Sequence, residues 1–240
     1  MKNFYKIKFN LVGMLALVAG LLMQNKVYSQ TTLVAGDILF TGYNTIPAPQ
    51  DNADIISFVL LRDISNNTVI NFTDRGYFGN NIWQAVTSTE GTIRWTSGSF
   101  LPMGTEVQIT ALSAQARIPG GSLTTNGTVV KTEHYSSTYN NASTGMLLAS
   151  TGDQIIAFQG GTSPSDSGVV FIAGLHYTQC GSGGVNTNDN WDTAACFDSP
   201  TKSMMPPGLQ NGFSAFKTTI PGGTTNNYSG LFQCTGAPYA

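Results

Sequence analysis

Between residues 35 and 74 short apolar runs alternate with polar turns, which predicts three strands, and this stretch anchors the expected fold. Ile55, Ile56, Phe58, Val59, Leu60 and Leu61 form a nearly continuous apolar run, too short for a globular helix and rich in β-branched and aromatic residues. Such a run predicts a strand buried on both faces. Val69-Ile70-Asn71-Phe72-Thr73 alternates, which predicts a strand with one wet face. Asp63 to Thr68 (DISNNT) supplies turn chemistry between the two.

Further strand signals follow at short intervals. Thr92 to Thr96 places Ile93 and Trp95 on one face, and Glu106 to Thr110 alternates after the turn Leu101-Pro102-Met103-Gly104. Gly127 to Lys131 is a weaker candidate, whereas Asp153 to Gln159 and Gly168 to Tyr177 are strong ones. No apolar stripe with helical spacing extends over three turns, so almost no helix is expected. Many short strands with Gly, Pro and Asn turns predict an all-β fold, and the alternation favours a sandwich over a barrel. From Thr178 onward the composition becomes loop-like, with isolated apolar anchors at Trp191, Met204, Leu209, Phe213 and Phe216. A long irregular C-terminal segment of this kind is expected to pack against the sandwich rather than fold alone.

The N-terminus changes how the rest is counted. Lys2, Lys6 and Lys8 precede the apolar stretch Leu11 to Met23, and Val27-Tyr28-Ser29 suits cleavage before Gln30. Residues 1–29 therefore read as a secretory signal peptide, since the apolar stretch is shorter than the ~20 residues of a membrane span. Residues 30–240 read as one domain, possessing no membrane span after cleavage and standing as a fragment of a longer multidomain protein. Cleavage removes four of eleven basic residues and no acidic one, leaving a net charge of −6. An acidic chain without a Lys/Arg cluster excludes nucleic acid as a partner. Charged residues make up only 10% of the sequence, against ~25% in ordinary soluble domains, so Thr, Ser, Asn, Gln and Gly must form the surface. That composition suits an extracellular β-protein.

Three cysteines, Cys180, Cys196 and Cys234, lie in the last third. A secreted setting permits one disulfide; Cys180–Cys196 is the most local pairing, with Cys196–Cys234 and Cys180–Cys234 as alternatives. The spacing lacks the paired thiols of a zinc site.

Several sequence blocks fall in a familiar order: AGDILFTGYN (35–44), FVLLRDISNNTVINFTDRG (58–76), EGTIRWTS (90–97), STGDQIIAFQG (150–160), FIAGLHY (171–177) and MPPGLQNG (205–212). Together they resemble a domain of uncharacterised function found in bacterial secreted, multidomain surface proteins, similar in outline to the lamin-tail type of immunoglobulin-like sandwich. The resemblance spans about residues 35 to 230. It implies an immunoglobulin-like β-sandwich and an extracellular life, and it carries over no catalytic residue. The cysteine-bearing loop departs from the pattern.

Candidate chemistry is sparse. His176 lies in an apolar strand run and reads as structural, His134 reads as an exposed loop residue, and no nucleophile elbow or H-E-x-x-H motif is present. Asp74, between a strand and Arg75-Gly76, reads as a turn stabiliser. Asp189, Asp192 and Asp198 share one loop and are candidate oxygen ligands for a calcium ion. Tyr77, Phe78 and Trp83 form the candidate ligand-binding set, because aromatic rings at a sandwich rim stack on sugars or enter a protein partner; the plainer reading folds them back over the core. The expected function is a non-catalytic secreted module that binds an extracellular carbohydrate or protein. A polysaccharide hydrolase using two carboxylates across a cleft, and a structural spacer, are the alternatives.

Overall fold

A computed structural model describes residues 29–45, 54–87, 89–134, 145–150, 152–178, 191–196 and 201–218, together with the backbone of strand 229–231. The signal-peptide reading therefore falls outside the described residues, apart from Ser29.

Among the described residues the strands are β1 (Ile38–Asn44), β2 (Ile55–Leu60), β3 (Val69–Thr73), β4 (Thr92–Thr96), β5 (Glu106–Thr110), β6 (Ser113–Arg117), β7 (Thr124–Thr125), β8 (Thr128–Glu133), β9 (Gln154–Gln159), β10 (Val170–His176), β11 (Ala215–Lys217) and β12 (Ser229–Leu231). Helical structure among the described residues is limited to one 3-10 turn, Ala194–Cys196. The strands form two six-stranded sheets, ordered β12-β1-β2-β5-β6-β7 and β11-β10-β9-β3-β4-β8. All strand pairs are antiparallel except β10 with β11. The fold is an all-β sandwich.

The sheets meet across one large apolar core. Ile38 and Phe40 of β1, Phe58 and Leu60 of β2 and Val107 of β5 face Ile70 and Phe72 of β3, Trp95 of β4 and Ile155 of β9. Aromatic rings cross the interface: Phe58 lies 5.1 Å from Phe72 and 5.7 Å from Trp95, and Tyr43 stacks on Tyr177 at 3.9 Å. The turn at 63–68 does more than reverse the chain. With Asn67 at φ 64° it carries the chain from the first sheet to the second, and Ile64 bridges Leu101 on the way.

Two burial expectations are corrected. Strand β2 is not buried on both faces: Ile56, Phe58 and Leu60 are buried, Ile55, Ser57 and Val59 half-buried, and Leu61 is exposed. Strand β3 has no wet face, since Asn71 and Thr73 are buried alongside Ile70 and Phe72. The cause is the same for both. The second sheet is covered on its outer side, so it is β9 and β10 that are buried on both faces.

That outer cover is a second apolar cluster, in which Tyr77, Trp83, Trp191, Leu209 and Ala215 close over Ile156, Phe158 and Phe171. Gly174 of β10 makes room for it. A Cβ there would lie 3.0 Å from Trp191 Cη2 and 3.1 Å from Leu209 Cδ1. Trp191 and Leu209 thus behave as the anchors their isolation suggested, whereas Phe213 is exposed and Phe216 packs on the main core. Gly174→Val should force the indole off the sheet, costing about 1–3 kcal/mol by overpacking. Hydrogen exchange should then accelerate across residues 191–217 while strand β4 stays protected.

Candidate functional site

The aromatic loop after β3 is built inward. Tyr77 and Trp83 form an isolated bridge, and Phe78 N–H donates to Ile82 O at 2.8 Å. Gly79, Asn80 and Asn81 turn the chain through left-handed backbone, which Gly and Asn tolerate best. Arg75 fastens the base of the loop: its Nε donates to Gln84 O at 2.6 Å, and its Nη1 donates to both Glu133 oxygens, at 2.8 and 2.7 Å, and to Ser163 Oγ at 3.1 Å. The Tyr77 ring lies 4.9 Å from Trp83, which lies 5.4 Å from Phe171. Of the candidate ligand set, Tyr77 and Trp83 are therefore buried and Phe78 half-buried. The Tyr77 and Trp83 rings pack on each other and on Phe171 rather than facing solvent.

Of the calcium candidates, Asp189 and Asp198 lie outside the described residues. Asp192 is buried beside a histidine, a lysine and a backbone N–H rather than other carboxylates. His176 Nε2 lies 2.7 Å from its Oδ2, Ser203 N–H donates to the same oxygen at 3.1 Å, and Lys217 Nζ lies 3.5 Å from Oδ1. Burial alone would raise the Asp192 pKa, but the bonds and charges of His176 and Lys217 outweigh it and hold the carboxyl below its ordinary range. Burial pushes His176 below its usual value, against the pull of Asp192. A carboxylate already bound to donors makes a poor calcium ligand. Among the described residues no group of three or more His, Cys, Asp or Glu side chains is arranged for a metal. Cys196 is buried. Cys180 and Cys234 lie outside the described residues, so the cysteine pairing does too.

Buried carboxylates gather at one end of the sandwich. Three successive backbone amides of the strap 145–150 are each held by a different aspartate: Leu147 N–H by Asp74, Leu148 N–H by Asp54 and Ala149 N–H by Asp153, all at 2.8 Å. Asp74 also accepts from Gly91 N–H at 2.7 Å, and Asp153 from Gln154 N–H at 2.9 Å. Asp74 is thus a brace between distant segments rather than the stabiliser of its own turn. Burial raises its pKa to about 8, opposed by its backbone bonds and assisted by the charge of Asp54. Glu90 and Asp153 are likewise pushed well above the carboxylate range, by burial first and then by the charge of Asp74. Raised carboxyls often mark general acids. Here they are buried and engaged with backbone amides or a neighbouring hydroxyl, with no open cleft between them among the described residues.

The outer face of the second sheet holds a different feature. Asn71 and Arg94 are register partners on β3 and β4. Arg94 donates from Nε to Asn71 Oδ1 at 3.0 Å and from Nη2 to Gly161 O at 2.9 Å, while Nη1 has no partner among the described residues. Arg62, Arg75 and Arg117 each pair with a carboxylate, and Arg94 pairs with none among those residues. It lines an open groove of about 420 Å³ with Gln30, Asn71, Gln159, Thr162 and Asp166. Two backbone N–H groups hold Asp166 ionised, with its pKa below the ordinary value. The alternation that puts Ile93 and Trp95 on one face of β4 puts Arg94 on the other, but no local pattern signals the groove, which the 160–166 loop walls.

Comparison of the chain with family models, curated proteins and solved structures finds no match in any of the three.

Proposed function

We propose that this protein is a secreted, non-catalytic module of a bacterial surface or exported protein, and that it binds an extracellular carbohydrate or protein partner. On this reading the sandwich is of the immunoglobulin-like, lamin-tail type, the segment 178–240 is its outer cover, and Cys180 pairs with Cys196 across the Gly/Asn-rich loop. The binding face moves from the aromatic loop to the groove at Arg94. One observation carries that choice: Arg94 presents a guanidinium nitrogen without a partner among the described residues in an open polar groove. Guanidinium, amide, hydroxyl and carboxylate groups in one concavity suit a polar, hydrogen-bonding ligand. Extracellular placement rests on the N-terminal signal and the low-charge surface. No described helix is long and apolar enough to cross a membrane.

The test is binding of the purified protein to a glycan array and to extracellular-matrix proteins, with Arg94→Ala and Ile82→Ala compared. A ligand lost at least tenfold in Arg94→Ala and kept in Ile82→Ala supports the groove. Absence of any ligand across both panels replaces the binding module with a structural spacer.

A further inference from the structure

In the buried group Lys217–Asp192–His176 a nucleophile and an electrophile meet away from water. Lys217 lies on β11, in register with His176 on the parallel β10, and Thr218 N–H donates to His176 O at 2.8 Å. Asp192 belongs to the covering segment, held by a two-way ladder with Ser203: Asp192 N–H donates to Ser203 O and Ser203 N–H to Asp192 Oδ2, both at 3.1 Å. The Trp191 indole stacks on the His176 ring at 5.0 Å and covers it. The three side chains are 2%, 0% and 0% exposed. Three separate parts of the chain thus bring an amine within 3.5 Å of a carboxyl in a dry site.

We propose that Lys217 and Asp192 condense into an intramolecular amide that covalently fastens the covering segment to the second sheet. The reaction needs no oxidant and no co-reactant. Lys217 Nζ passes a proton to Asp192 Oδ1, turning the ion pair into a neutral amine and a neutral acid. The nitrogen lone pair adds to Cγ, a C–N bond forms, and negative charge develops on Oδ2. Ser203 N–H points at Oδ2 and stabilises that charge, and His176 Nε2, 2.7 Å from the same oxygen, adds to it in the tautomer that carries the proton there. A second proton then moves from Nζ to Oδ1, the Cγ–Oδ1 bond breaks, and water departs. One hydrogen stays on the nitrogen, Oδ2 becomes the amide carbonyl oxygen, and the net charge of the pair is zero before and after.

Two physical reasons drive this step forward inside the protein. Amine and acid fixed together on a folded scaffold react with effective molarities of roughly 10⁵–10⁸ M. Replacing a buried ion pair by a neutral amide also removes the cost of keeping two charges out of water. His176 is a catalytic residue in this scheme, because it contacts the reacting oxygen. The inference stands on the triad alone and does not depend on the groove at Arg94.

Mass spectrometry of the full-chain protein after thiol reduction tests it. The expected result is an intact mass one water below that calculated for the N-terminus found in the same sample. Digestion with trypsin and chymotrypsin should yield a branched peptide joining the segments around Asp192 and Lys217, with no tryptic cut after Lys217. Lys217→Arg should restore the full mass, since a guanidinium keeps the charge but not the nucleophile. A folded wild-type sample giving linear peptides and a cut after Lys217 would overturn the proposal, leaving the triad a buried ion pair. That peptide map decides the matter even if Lys217→Arg fails to fold.

Discussion

Trp95→Ala is expected to destabilise the protein by about 3–5 kcal/mol, lowering the thermal midpoint by roughly 6–20 °C for a chain of this size. Trp95 is fully buried at the centre of the sandwich, edge-on to Phe58 across the sheet interface. Its indole Nε1–H donates to Asn126 O at 3.1 Å, which fixes the entry to β8. Truncation therefore opens a cavity between the sheets and leaves a backbone carbonyl without its donor. Val130→Ala, half-exposed on the neighbouring strand, should stay within about 0.5 kcal/mol of the parent. Urea unfolding of the two variants checks the contrast; equal midpoints would mean that the sheets are not held together at Trp95.

The second large effect is a loss of stability on the alkaline side. Asp74 has a folded-state pKa of about 8 against an ordinary 3.8, and Glu90 and Asp153 are shifted in the same direction. A carboxyl whose pKa rises on folding binds its proton more tightly in the native state. Its contribution is full below the ordinary value and lost as pH climbs through the folded one. Stability should therefore fall between pH 5 and pH 9, with Asp74 alone accounting for at most about 5 kcal/mol. His176 acts in the opposite sense: its pKa is shifted downward, so its contribution is present near neutrality and disappears as the solution is acidified. The optimum is thus expected on the mildly acidic side of neutral. Asp74→Asn should lower stability at pH 5 by about 1–3 kcal/mol, because an amide cannot accept both the Gly91 and Leu147 N–H groups. It should also flatten the alkaline decline. Thermal unfolding from pH 5 to 9 measures both, and a midpoint that rises with pH would refute the account.

The acid cluster also explains why a catalytic reading is unattractive here. Asp54, Asp74 and Asp153 come from three different strand ends, and each takes one amide of the same strap. The sequence presents Asp74 as an ordinary turn residue and Asp153 as the start of a strand. Their convergence is a property of the sandwich end, where strands from both sheets terminate together.

What the sequence determined by itself is the set of strands with strong local signals. β1 to β5 and β8 to β10 follow from β-branched and aromatic runs bounded by Gly, Pro and Asn, and so does the all-β class. It could not supply β6, whose buried positions are Ala114 and Ala116, nor the two- and three-residue edges β7, β11 and β12. Such strands exist because a neighbour supplies the ladder, not because their own residues favour one. Burial was decided by tertiary structure as well. Apolar periodicity cannot say which sheet is covered on its second face, so Ile55 to Leu61 resembled the doubly buried strand that β9 and β10 are. The meeting of His176, Asp192 and Lys217 lay further still beyond local pattern, since a parallel pairing and a loop brought residues from three elements into one dry site. Local side-chain chemistry sets the strands; long-range packing decides which polar groups lose water, and those are the groups whose chemistry changes.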